Sequence, residues 1–112
     1  MHGSTDARIA IVMGGEPEAG DAALVEDGRD MPPEGYAVRF ALGLGLAGHG
    51  QGCVCCTLRG PAADALSRMF RERATGVAPY FHRVVVLASA EGEAAVRAAL
   101  EADVVTSARF RI

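Results

Sequence analysis

Arg83-Val84-Val85-Val86-Leu87-Ala88 sets the architecture. From Val84 to Ala88 no polar residue interrupts the run, and consecutive β-branched valines favour extended backbone. A strand wetted on one face alternates apolar and polar residues, whereas a continuous apolar run marks a strand covered on both faces. His82 and Ser89 bracket this one. On its N-terminal side, Pro61 suits the first turn of a helix, where its missing N–H costs nothing. Leu66, Met69 and Phe70 then fall at helical spacing on one face, with Arg68, Arg71, Glu72 and Arg73 opposite. Gly76 and Pro79 end that helix. On the C-terminal side, Glu91 to Ala102 is an alanine-rich helix with Val96 and Leu100 turned inward. Helix, buried strand and helix in succession predict an α/β fold, a small three-layer sandwich around a partly parallel sheet.

The N-terminal half supplies further strands. Arg8-Ile9-Ala10-Ile11-Val12-Met13, closed by Gly14-Gly15, reads as a buried strand. Residues 16–33 hold Pro17, Gly20, Gly28, Pro32 and Pro33 among several acids and read as loop, with a helical turn over Asp21 to Glu26 capped by Asp21. Tyr36 to Leu42 is the next strand, and a glycine-rich run to Gly52 follows it. Val104-Val105 and Phe110-Arg111-Ile112 close the chain in an apolar pattern. No repeat or linker divides the sequence, so residues 1–112 form a single domain, with 1–7 expected to be disordered.

Composition narrows the function. Eleven basic residues stand against 14 acidic ones, a net charge of −3, which gives no electrostatic footprint for nucleic acid. No apolar run approaches the roughly 18 residues of a membrane span, and the first residues lack the basic and apolar regions of a signal peptide. An odd, tightly spaced set of three cysteines does not suit a secreted disulfide framework, so a cytoplasmic location is expected.

Those cysteines lie within four positions, in Gly52-Cys53-Val54-Cys55-Cys56-Thr57-Leu58-Arg59-Gly60. Thiolates bind soft metals, and a helix N-terminus favours the thiolate form. A closed zinc site needs a fourth donor. His49 is the nearest nitrogen, while Glu16 and Glu18 follow the first strand and could meet the cysteines at the carboxyl edge of the sheet. Against this stands the plainer reading of the cysteines as small buried hydrophobes. Gly43-Leu44-Gly45-Leu46-Ala47-Gly48 matches a dinucleotide fingerprint in letters only, because His49-Gly50-Gln51-Gly52 does not open a helix behind it. The chain contains no lysine and no phosphate loop ending in Gly-Lys-Ser or Gly-Lys-Thr, which argues against phosphoryl transfer. C-x-C-C is also not the C-x-x-C spacing of thioredoxin-like enzymes, and no base accompanies it.

The segment Gly52 to Gly60, with Asp64-Ala65-Leu66 after it, resembles the CxCC segment of CobW-like metallochaperone GTPases. Ile9 to Val12 through Asp21, Arg83 to Val86, and Ala102 to Val105 through Ile112 resemble other stretches of that family in matching order. The resemblance implies a slice of a P-loop NTPase-like, Rossmann-like fold, with Cys53, Cys55 and Cys56 as ligands for zinc, or for cobalt or nickel. The family's phosphate loop has no counterpart before Arg8. Met13-Gly14-Gly15-Glu16-Pro17 replaces its acidic signature, and Leu87 and Ala90 stand where it carries an acid and a phosphate-sensing glycine. The resemblance therefore implies a non-enzymatic metal-binding module with no bound nucleotide. A missing central strand would leave a sheet edge open, so a homodimer or a larger protein partner is expected. The other reading is an interaction domain that binds a partner without metal.

Overall fold

The computed structural model describes residues 7–42 and 54–112, and only the backbone of 54–59. Among the described residues eight elements follow in order: β1 (Ile9–Met13), β2 (Ala22–Glu26), β3 (Ala37–Phe40), α1 (Val54–Thr75), β4 (Arg83–Leu87), α2 (Ala90–Ala102), α3 (Val104–Arg109) and β5 (Phe110–Arg111). The fold is α/β, and its five strands form one sheet in the order β3-β2-β4-β1-β5. Every pairing is parallel, so the expected partly parallel sheet is parallel throughout the described residues.

The valine run takes a central place. Val84 aligns with Ile11 on one side and Ala22 on the other, and Val84, Val85 and Val86 are at most 1% exposed. Among the described residues β1 lies between β4 and β5, and β3 and β5 are the edge strands.

The largest departure from the sequence reading is β2. Asp21 to Glu26 forms no helical turn; Ala22 to Glu26 is a strand whose first four residues are fully buried. Alanine, leucine and glutamate favour a helix locally, but burying Ala22-Ala23-Leu24-Val25 against both sheet faces outweighs that weak preference. Asp21, expected as the helix cap, instead binds Arg83 at the start of β4 and accepts the Glu18 backbone N–H at 2.8 Å.

Chain direction explains how the faces are covered. Right-handed crossovers that step in opposite directions along a parallel sheet fall on opposite faces. The β3-to-β4 and β4-to-β5 connections step one way and carry α1, α2 and α3, which pack on one another. Leu66, Met69 and Val96 from these helices close the main core over Ile11, Leu24, Val38 and Val86. The β1-to-β2 and β2-to-β3 connections step the other way and contain no helix. Ala23, Val25 and Val85 alternate with the main-core residues yet are at most 1% exposed, so the second face of the sheet is covered as well.

Within α1, Gly60 is not helical (φ 78°, ψ 162°), and Pro61 restarts the helix as its position predicts. Ser89 caps α2, its hydroxyl accepting the Gly92 N–H at 3.2 Å, and Asp103 caps α3. Tyr36, packed against the main core just before β3, ties that strand to helix α1: its hydroxyl donates to Glu72, and its ring stacks on Phe81 at 5.8 Å.

Candidate functional site

In a parallel sheet the loops that leave the strands share one edge, the usual place for ligands in α/β folds. Gly14 and Gly15 turn the chain out of β1 with φ of 81° and 94°, and the Gly14 N–H reaches the Val86 carbonyl at 2.9 Å. Glu16 follows at once. The loop then crosses the sheet to Asp21, forming one wall of a cleft of about 670 Å³; Asp30, Pro32, Pro33 and Glu34 of the β2–β3 connection form the other, over Leu87.

Five carboxylates face this cleft: Glu16, Glu18, Asp21, Asp30 and Glu34. Two are engaged by Arg83. Its Nη2 lies 2.5 Å from Asp21 Oδ2 and 3.8 Å from Glu18 Oε1, and its Nε donates to Asp21 Oδ1 at 3.2 Å. The guanidinium, by hydrogen bond first, holds the Asp21 carboxyl below its ordinary range although burial pulls the other way. Arg83 opens β4, so this end of the cleft carries the cation that faces Asp21 and Glu18.

A sixth carboxylate, Glu26, joins the end of β2 to the N-terminus of α2. Glu26 Oε1 accepts both the backbone N–H and the hydroxyl of Ser89, each at 2.8 Å, at the N-terminus of α2. These bonds, the backbone one foremost, hold the Glu26 carboxyl below its usual range. A carboxylate at a helix N-terminus meets free N–H groups and the positive end of the macrodipole, the setting in which α/β proteins hold phosphate. Here the chain's own side chain fills it. Gly92 permits the approach, since a Cβ there would lie 2.7 Å from Glu26 Oε1.

Of the residues singled out in the sequence, His49 and Cys53 lie outside the described residues. Cys55 and Cys56 fall in the α1 span, with their side chains outside the description. All four positions lie in the sequence between Phe40, the end of β3, and Gly60 within the α1 span. Among the described residues no group of three or more His, Cys, Asp or Glu side chains is placed to hold a metal ion.

Comparisons with protein-family models, curated proteins and solved structures return no match. Sequence reasoning missed Asp30, Glu34 and the Glu26–Ser89 pair. Nothing local marks the first two as cleft walls. Ser89 two residues before the acidic pair Glu91 and Glu93 is a helix-cap signal, but its partner lies 63 positions away.

Proposed function

We propose that this chain is a non-enzymatic, cytoplasmic metal-binding module of CobW-like descent. The observation that carries the reading is the sequence itself: all three thiols fall in four positions, between the end of β3 and the Gly60-Pro61 restart of α1. Three thiolates plus one nitrogen or carboxylate match the four donors of a closed tetrahedral zinc site. His49 supplies the fourth donor, with Glu16 the carboxylate alternative; Glu18, already drawn to Arg83, is the weakest of the three. Zinc is the metal this donor set favours, with cobalt and nickel accepted by the same ligands.

A nucleotide-free role accords with Glu26. A phosphate seeking the N-terminus of α2 would have to displace a carboxylate held by two hydrogen bonds from Ser89. Among the described residues no helix is long and apolar enough to cross a membrane, and the net charge of −3 offers nucleic acid no general attraction.

Cobalt titration of the reduced protein tests the proposal. One equivalent should bind with a thiolate charge-transfer band, more tightly as pH rises because the thiols must lose protons. Cys55→Ser with Cys56→Ser should abolish the band. No stoichiometric binding, or binding unchanged in the double variant, removes the idea. The second reading, an interaction domain without metal, draws on the inclusion of Cys55 and Cys56 in a helical span, since consecutive helical positions do not face each other. It predicts thiols that a labelling reagent reaches only after unfolding.

A further inference from the structure

Helix α1 is two helical stretches meeting at a joint. Val54–Thr75 is interrupted at Gly60, whose φ of 78° and ψ of 162° lie in a region open essentially to glycine alone. A Cβ at Gly60 would meet nothing within 4 Å, so the glycine answers a backbone need and not a close contact. Pro61 blocks the straight alternative in two ways. It has no N–H to give the carbonyl of residue 57, against which its ring would press, and it turns the residue before it away from helical angles. The two sides of the joint differ. From Pro61 onward, Ala62, Ala63, Ala65, Leu66 and Met69 are buried in the main core. Before it, Val54-Cys55-Cys56-Thr57-Leu58-Arg59 opens with four poor helix formers, Val54 to Thr57. A helical stretch this short gains little from its own backbone bonds.

We propose that metal capture unwinds residues 54–59 and that the Gly60-Pro61 joint stops the unwinding there. The inference rests on the metal-binding reading above and deepens it. Cys55 and Cys56 occupy consecutive helical positions, which do not face each other, so one tetrahedral ion does not suit both while the backbone stays helical. Helical 54–59 therefore belongs to the bare form. Thiolate–metal bonds outweigh the few backbone bonds of so short a stretch, and the binding energy is taken up in the change of fold. Past the joint the balance reverses. Unwinding there would pull Leu66 and Met69 out of the core, and Pro61 gives no N–H bond back to residue 57 through which the change could spread. Bare and loaded forms thus share one α/β body and differ at 54–59. A partner that contacts this stretch distinguishes the two by its differential affinity for them.

The test is NMR of the reduced full chain with zinc as probe, while the cobalt charge-transfer band reports binding in parallel. Before zinc, the Cα shifts of residues 54–59 should be helical. After one equivalent they should leave the helical range, and those of residues 62–75 should stay in it. Gly60→Ala with Pro61→Ala removes the joint, because two alanines favour one continuous helix. That double variant should keep 54–59 helical and bind cobalt about tenfold more weakly. Far-UV circular dichroism should show it folded, with added helix. Zinc bound while 54–59 stays helical overturns the inference and leaves the metal reading standing. Stretch 54–59 lacking helical shifts before zinc overturns it too, as does cobalt affinity unchanged in the double variant. Loss of helical shifts as far as Leu66 shows that the joint confines nothing. If neither ion binds, the metal reading itself falls and takes this inference with it.

Discussion

Gly92→Ala separates helix propensity from packing, because the two predict opposite signs. Gly92 is the third residue of α2, and alanine in a helix is worth about 1 kcal/mol over glycine. On propensity alone the variant should be more stable. The structure says otherwise. A Cβ at position 92 would stand 2.7 Å from Ala88 Cβ and 2.7 Å from Glu26 Oε1. Ala88 has no rotamer with which to yield, since its Cβ is fixed to the backbone that joins β4 to α2. Glu26 could swing away, but only by giving up its two bonds to Ser89. Overpacking of this kind costs about 1–3 kcal/mol. Set against the propensity gain and enlarged by the loosened cap, it leaves a net loss of about 1–2 kcal/mol. Urea unfolding followed by far-UV circular dichroism reads this as a lowered midpoint with an unchanged slope. Ala88→Gly removes one of the two clashes, so the double variant should lose less than the sum of the single ones. A Gly92→Ala protein as stable as the parent, or more so, would refute the close approach of α2 to β2.

The Asp21–Arg83 pair should shape the acid limb of stability. Its carboxyl is held below an unfolded value near 3.8, so the unfolded chain takes up the proton first. The pair's contribution is present above that value and lost as pH falls through the lower folded one; Asp21→Asn should flatten the acid limb, and an unchanged limb would contradict the pairing. At the other extreme, burial first and the Glu72 hydrogen bond second push the Tyr36 phenol well above its ordinary range. Folded protein therefore retains that proton while unfolded chain loses it near pH 10, and stability falls as pH climbs from there toward the folded value. In a Tyr80→Phe background, absorbance at the phenolate band should rise together with loss of circular dichroism. Ionisation of Tyr36 with the fold intact would show that its hydroxyl is not held as described.

The elements legible in the sequence were those whose burial and local chemistry agree. The valine run, the Pro61 restart, and the apolar faces of α1 and α2 each follow from spacing alone. β2 escaped because Ala22-Ala23-Leu24-Val25 fits helix or strand equally, and the choice is made by distant β3 and β4. The position of β1 escaped for the same reason: its neighbours are set by Val84 and Phe110, not by anything near Ile9. Glu16 and Glu18 line the same cleft, yet of the two Arg83 engages Glu18 at 3.8 Å, a contact set by the distant start of β4. The cleft and the plugged N-terminus of α2 are products of topology, so no local motif announces them.

The parallel partners of β1 have a consequence for how the molecule is made. Ile11 must find Val84, and Ile9 must find Phe110. As the polypeptide emerges from the ribosome, β1 is out long before either neighbour exists, and no hairpin can shelter it meanwhile. Contacts this distant in sequence slow folding and lengthen the time an apolar strand stays bare. Nascent chains stalled before residue 83 should accordingly bind chaperones through Ile9 to Met13, and release should coincide with emergence of the second half.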